Sequence, residues 1–180
     1  MKDSLGTTSE CKELMAIADD VVAAGLATHS SSLDLECSAE DAFALLCAVE
    51  KWPVWLSLLR SARNVGSEPA LQVGSEVVIR SWLPGDAEEL YEVDALIVNY
   101  RLSLVGAYSV RRRLDFRIER RTSTSRLHVR LTYPAYHGRL GRLLDRWQHG
   151  RRLASALDDS LVHFKGLVEF QRDAPVLADF

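Results

Sequence analysis

The chain has 180 residues, of which 47% are hydrophobic and 26% are charged, and its formal net charge is −3. This length suits one domain with a sizeable core, and the composition is that of an ordinary globular protein. No apolar run approaches the roughly 20 residues of a membrane-spanning helix, and the short apolar stretch 21–27 follows two aspartates, unlike the basic start of a secretory signal. We therefore expect a cytoplasmic protein without a membrane span.

The N-terminal residues carry two different patterns. Apolar side chains recur at helical spacing over 9–26, which predicts an N-terminal helical extension within 1–30, either added to the main fold or mobile. Residues 31–37 alternate instead, with Leu33, Leu35 and Cys37 on one face, which predicts a half-buried strand at the start of the main domain.

Two short helices are predicted next. Ser38, with Asp41 three residues later, begins the first helix in an arrangement like a capping box. Pro53 disfavours helical geometry at the residue before it, so it ends this helix and is well placed to open the second. The second helix is predicted to carry Trp55, Leu58 and Leu59.

The pattern then changes to period two, which predicts six antiparallel strands. Their predicted ranges are 62–65, 76–82, 89–98, 101–105, 112–120 and 125–133. The last two form a hairpin with one apolar face. That face carries Leu114, Phe116 and Ile118 on the first strand and Leu127, Val129, Leu131 and Tyr133 on the second.

One long helix is predicted over 139–170, about 45 Å in length at 1.5 Å per residue, followed by a tail at 171–180. Such a helix can cross an entire sheet. Its apolar stripe shrinks to Gly150 and Ala154 between Trp147 and Leu157.

The three cysteines, Cys11, Cys37 and Cys47, match no zinc or redox spacing, and none of the five histidines has metal-ligand spacing on a helix. We expect the cysteines to act as small buried hydrophobic residues. We also expect no metal and no other cofactor.

In this order of elements, several short motifs resemble the SRPBCC superfamily, which includes START domains, polyketide cyclases and coenzyme Q-binding proteins. They are Ser38-Ala-Glu-Asp-Ala-Phe43, Glu50-Lys-Trp-Pro-Val-Trp55, Val73-Gly74, and Tyr133-Pro134 followed by Gly138 and the long helix. The resemblance covers about 31–170. It implies an α+β helix-grip fold: a curved seven-stranded antiparallel sheet wrapped around a long C-terminal helix, with two short helices after strand 1 and a cavity between sheet and helix.

A cavity is also expected on geometric grounds. A curved sheet and a straight helix cannot touch along their whole length, and small residues at Gly150 and Ala154 leave room. The alternative is that these two residues allow close packing of helix on sheet. The predicted lining is Trp55, Leu58, Leu59, Val77, Ile79, Leu114, Phe116, Leu127, Val129, Leu131, Tyr133, Trp147, Gly150, Ala154, Leu157 and Leu161.

The sequence contains no nucleophile motif, phosphate loop or dinucleotide fingerprint. Arg80 and Tyr133 are the candidate catalytic residues. An inward Arg80 would need an anion and could polarise a ligand carbonyl; the alternative is a solvated arginine on a strand. Further polar candidates are Trp82, Glu92, Tyr108 and Tyr136.

Charge is distributed unevenly: the first 100 residues carry 6 basic and 17 acidic side chains, and the last 80 carry 16 basic and 8 acidic ones. This basic half could dock weakly on an anionic partner, or its arginines could simply be solvated. Few aromatics lie among them, so we expect no DNA partner. The arginines in question are Arg111, Arg112, Arg113, Arg117, Arg126 and Arg130 on the sheet, and Arg139, Arg142, Arg146, Arg151 and Arg152 on the last helix.

Three functions fit these features. The first is binding or transport of a hydrophobic small molecule, lipid-like or aromatic, in the sheet–helix cavity. The second is a polyketide cyclase or dehydratase-like enzyme with an acid–base group in the same cavity. The third is an interaction protein that docks through its arginine-rich face. The oligomeric state stays open.

Overall fold

The computed structural model describes residues 26–66, 68–81, 88–134 and 150–173. In chain order the elements are β1 (Leu26–Leu35), α1 (Ala39–Cys47), a 3-10 turn (Val49–Lys51), α2 (Trp52–Trp55), β2 (Leu59–Asn64), β3 (Glu76–Ser81), β4 (Glu88–Ile97), β5 (Arg101–Gly106), β6 (Ser109–Arg120), β7 (Ser125–Pro134) and α3 (Gly150–Asp173).

The seven strands form one antiparallel sheet in the order β1-β7-β6-β5-β4-β3-β2. The two short helices follow β1, and α3 packs against the concave face of the sheet, which is the face on which Phe116 meets Trp52 and Trp55. The predicted α+β helix-grip fold is therefore confirmed.

Local signals explain why the short helices form where they do. The Ser38 Oγ accepts a hydrogen bond from the Asp41 backbone N–H at 3.1 Å and donates one to the Asp41 carboxylate at 2.6 Å, so Ser38 caps α1. Pro53 lies in the first turn of α2, where its missing N–H costs no helical hydrogen bond.

Several predicted boundaries were wrong, among them the start of β6, which begins at Ser109 and not at residue 112. β1 begins at Leu26, five residues before the predicted start at residue 31, because its backbone pairs with β7 from Leu26↔Pro134 to Leu35↔Ser125 although the side chains at 28–32 are all polar. Leu59 belongs to β2 and not to the second helix, which ends at Trp55, and Leu58 lies in the turn between them. The helix predicted over 9–26 lies outside the described residues, apart from Leu26.

The core fills one half of the concavity with large aromatic rings. Trp55 makes edge-on contacts with Phe164 of α3 (ring centroids 4.9 Å apart) and with Phe116 of β6 (6.1 Å), and Trp52 lies 5.4 Å from Phe116. All four side chains are fully buried. Such packing ties α2, α3 and the centre of the sheet into one unit.

The apolar stripe of α3 differs in one position from the prediction. Leu153 is buried and Ala154 is only half-buried, so the buried stripe runs through Leu153, Leu157, Leu161, Phe164 and Val168. The predicted helix residues 139–149 lie outside the described part of the chain.

Candidate functional site

The inward side chains change character along the strands. At one end of the concave face they are buried and apolar, as at Leu127, Ile118 and Val93. At the other end the same strands carry half-buried polar groups, as at Tyr133 and Tyr91. We call this second region the open end of the concave face; it comprises His29, Ser31, Glu89, Tyr91, Arg112, Leu131 and Tyr133.

His29 and Tyr133 form a contact between β1 and β7 at the open end. The register pairs His29 with Leu131 and Ala27 with Tyr133, so both rings project from the same face of neighbouring strands. The imidazole Nε2 lies 3.1 Å from the Tyr133 hydroxyl, and the rings stack with centroids 5.8 Å apart. This pair combines a titratable imidazole with a phenol in a half-buried position, which is an arrangement able to exchange a proton with a ligand.

The helix α3 runs parallel to β1 and is held to it by polar contacts. Ser31 donates a hydrogen bond to the Asp158 carboxylate, and further along Lys165 donates to the Asp34 carbonyl at 3.3 Å. Four helical residues and two strand residues both span about 6 Å. Counting back from the contact between Ser31 and Asp158, Ala154 therefore lies level with His29. The small side chain that the sequence places on this part of the helix therefore faces the region of the His29–Tyr133 pair.

Glu89 forms the second polar group of the open end. Glu89 lies on the same inward face of β4 as Tyr91 and Val93. Its carboxylate binds the guanidinium of Arg112 on β6. The strand between them, β5, ends there at Gly106, which has no side chain to obstruct the contact. The Tyr91 hydroxyl donates to the same carboxylate at 3.1 Å, and burial raises the pKa of Tyr91 to about 12, so the phenol keeps its proton at neutral pH.

A cavity of about 540 Å³ adjoins this end of the sheet. This volume lies within the range of about 300–1,000 Å³ typical of small-molecule sites. Val78 and Leu90, cross-strand partners on β3 and β4, give the cavity apolar surface; because they alternate with the buried Val77 and Ile79, this part of the cavity lies on the convex side of the sheet. Its lining consists of Val78, Glu88, Glu89, Leu90, Gly106, Tyr108, Arg112 and Pro134.

Most residues of the predicted lining are in the filled core. These are Trp55, Leu59, Val77, Ile79, Leu114, Phe116, Leu127, Val129, Leu157 and Leu161. Leu58 and Leu131 are half-buried against that core, and Tyr133 and Ala154 are half-buried nearer the open end. Gly150 is the first residue of α3, and Trp147 lies outside the described residues. The structure therefore brings Leu131, Tyr133 and Ala154 together with His29, which the sequence interpretation had not selected.

Of the two catalytic candidates, only Tyr133 is on the concave face. Arg80 alternates with the buried Val77 and Ile79 and pairs with Glu88, so its side chain projects from the convex face. The same alternation puts the exposed Glu92 on the convex face. Tyr108 is 91% exposed at the rim of the cavity, and Trp82 and Tyr136 lie outside the described residues.

His29, Ser31, Glu89 and Arg112 were missed as site residues, although a signal was present. Extending the Leu35–Leu33 alternation backwards puts Ser31 and His29 inward, and Glu89 stands in phase with Val93. Polar side chains at inward positions are rarer than apolar ones and indicate a site or a network. Residues 28–32 are all polar and show no apolar alternation, so they were not predicted as part of the strand and the inward positions were missed.

Trp55 carries a buried donor that has no acceptor among the described residues. The neighbouring Trp52 Nε1 donates to the Leu46 carbonyl at 2.8 Å, whereas the buried Nε1 of Trp55 has no hydrogen-bond partner within the described ranges. This donor belongs to the filled half of the core and not to the open end.

The arginines of the convex face are largely engaged with acidic neighbours. Asp115, only 5% exposed, binds Arg101 at 2.9 Å and Arg117 at 3.3 Å. Asp34 binds Arg126 at 2.6 Å, and this hydrogen bond holds the pKa of the Asp34 carboxyl below its usual value. Arg112, predicted for the outer face or rim, instead contacts Glu89 at the open end. These ion pairs reduce the charge available to an anionic partner.

Solved structures with this fold are found at low sequence identity. The Zhui aromatase/cyclase from a Streptomyces species matches with a TM-score of 0.63 at 9% identity, over 83% of this chain and 97% of that one. A START superfamily protein from Mycobacterium smegmatis matches with a TM-score of 0.58 at 16% identity, over 80% and 98% of the two chains. A Polyketide_cyc-like protein from Corynebacterium glutamicum gives 0.54 at 15% identity, over 84% and 97%.

This chain therefore has the fold of START and polyketide cyclase-like proteins, as its resemblance to the SRPBCC superfamily implied. No protein-family model and no curated protein sequence matches it. No helix in the described part of the chain is long and apolar enough to cross a membrane.

Proposed function

We propose that this protein binds a hydrophobic small molecule, lipid-like or aromatic, between the concave face of the sheet and α3, with the polar end of the ligand at the open end. The observation that carries the proposal is the change within single strands from buried apolar to half-buried polar side chains. Apolar burial would supply affinity at roughly 25 cal/mol per Å², and the polar groups would fix orientation.

The fold supports this function without selecting a ligand. Proteins of the same fold include a START superfamily member and an aromatase/cyclase.

Filling the space beside His29 tests the proposal. Ala154→Phe puts a bulky ring on the half-buried side of α3, whereas Ser155→Phe adds the same ring at an exposed position one residue later. Titration of the full chain with the apolar dye Nile red should show binding to the wild type. We expect affinity at least about tenfold lower in Ala154→Phe and changed less than about twofold in Ser155→Phe. Equal affinity in all three proteins would contradict a ligand site at this place.

Native mass spectrometry of the purified protein should in addition reveal a co-purified hydrophobic ligand.

A cyclase or dehydratase-like activity is the second candidate, favoured by the His29–Tyr133 contact of 3.1 Å. In an aldol ring closure, a base removes a proton beside one carbonyl, the carbanion attacks a second carbonyl carbon, and an acid protonates the resulting alkoxide. His29 could serve as base and Tyr133 as acid. Cyclisation of a synthetic tricarbonyl compound should then be accelerated by the wild type and lost in both His29→Gln and Tyr133→Phe. Undiminished turnover in both variants would remove these residues from the mechanism.

A further inference from the structure

Among the described residues of the open end, Glu89 and Arg112 are charged and are bound to each other. Glu89 binds Arg112 and accepts the Tyr91 hydroxyl at 3.1 Å, and Asp158 accepts the Ser31 hydroxyl. Arg112 is therefore bound to a carboxylate that also accepts a hydrogen bond from the half-buried Tyr91 phenol. The Tyr133 hydroxyl, 3.1 Å from the His29 Nε2, is a further polar group of this end.

We propose that this end of the site takes ligands whose polar end is an uncharged hydroxyl or carbonyl, and that Glu89 sets this specificity by neutralising Arg112. The inference rests on the binding function proposed above and names its ligand class. Glu89 is then a specificity-determining residue.

Electrostatics decides against a carboxylate ligand. An entering carboxylate would meet the anionic Glu89, while Arg112 is already engaged. Like charges that approach in a half-buried site repel strongly, and displacing Glu89 from Arg112 would leave an unpaired anion there. A hydroxyl or carbonyl can exchange hydrogen bonds with the Tyr133 phenol or the His29 imidazole and leave the ion pair intact.

The arrangement depends on a local feature of β6. Its register with β5 jumps between Val105↔Arg113 and Gly106↔Ser109, so residues 110–112 bulge out of the ladder. This bulge, together with Gly106, allows Arg112 to reach Glu89 two strands away. The course of the backbone therefore places Arg112 within reach of Glu89.

Three probes with the same apolar body test the head-group preference. These are 2-naphthol, 2-acetonaphthone and 2-naphthoate, titrated calorimetrically into the full-length protein at pH 7.5. We expect the hydroxyl and carbonyl probes to bind at least about tenfold more tightly than the carboxylate. Glu89→Gln should raise 2-naphthoate affinity about tenfold, because Arg112 becomes an uncompensated cation. Glu92→Gln removes the same charge from the convex side of the same strand and should change no affinity by more than about twofold.

A reciprocal variant covers the case in which Glu89→Gln does not fold. Arg112→Gln leaves Glu89 uncompensated and should raise the affinity for 2-naphthylmethylammonium about tenfold over wild type. Two results would overturn the inference and leave the binding function standing. One is that the wild type binds the carboxylate probe more tightly than the hydroxyl and carbonyl probes. The other is that Glu89→Gln and Arg112→Gln show the same relative affinities for the probes as the wild type. Failure of Nile red and every probe to bind would instead reject the binding function itself.

Discussion

Asp115 is a buried carboxylate on the convex face whose charge is matched by Arg101 and Arg117. Asp115→Asn keeps the size of the side chain but leaves Arg101, itself only 26% exposed, without its counter-charge. We expect the free energy of unfolding in urea at pH 7 to fall by about 1–3 kcal/mol. Asp34→Asn is the control: its ion pairs with Arg126 and Arg121 are exposed, so the unfolding midpoint should stay nearly unchanged. Equal effects of the two substitutions would contradict this account.

Cys47 offers a second test at the scale of one residue. Burial at the end of α1 raises the pKa of its thiol to about 11, and the thiolate is the form that reacts with alkylating agents. At pH 8 the folded protein therefore holds far less Cys47 thiolate than the unfolded chain. Iodoacetamide labelling, followed by peptide mass spectrometry, should be at least about tenfold slower in buffer than in urea, and it should accelerate as the pH rises towards 11. Similar rates in both solvents would show that this thiol is not shielded.

Among the elements, α1 shows how a short sequence signal becomes stability. The Ser38 hydroxyl satisfies the Asp41 N–H, one of the donors that a helix start leaves free. Ser38→Ala should lower the free energy of unfolding by about 1 kcal/mol. Ser61→Ala, at an exposed position of β2, is a matched control that should have little effect. A change at Ser38 no larger than at Ser61 would mean that the cap is dispensable.

The elements that the sequence predicts well are those whose signal is local. The cap at Ser38, the turn at Pro53 and the alternation of the β6–β7 hairpin each follow from neighbouring residues. Strand β1 was half missed, because its inward positions near the open end are the polar His29 and Ser31, so the apolar alternation that marks a strand stops at Leu33. The site was predictable in outline, through Leu131, Tyr133 and Ala154, but the Glu89–Arg112 contact depends on a bulge in β6 that no local pattern reveals.

At the scale of the whole molecule, one half of the concave face stabilises the fold and the other half is the proposed place of ligand binding. One half is filled by Trp52, Trp55, Phe116 and Phe164, while the other carries half-buried polar groups. A protein interior packs at the density of an organic crystal, so the filled half has no room for a guest. The half-exposed end keeps polar groups that a folded core would exclude. Such an arrangement is expected where a protein gives up some folding stability in order to bind a ligand.

Substitutions in the two halves should therefore have opposite signatures. Phe164→Leu removes part of a fully buried ring that touches Trp55 and should lower the free energy of unfolding by about 1–2 kcal/mol. Because this ring lies in the filled half, Nile red affinity should change less than about twofold.

Tyr133→Phe removes only a half-buried hydroxyl at the open end, so the free energy of unfolding should change by less than about 1 kcal/mol. Nile red affinity should fall about three- to tenfold, because the hydroxyl donor is lost. Urea unfolding and dye titration of both variants measure the two quantities separately. A Phe164→Leu variant that loses as much affinity as Tyr133→Phe would mean that the ligand extends into the aromatic core, and the division between the two halves would be wrong.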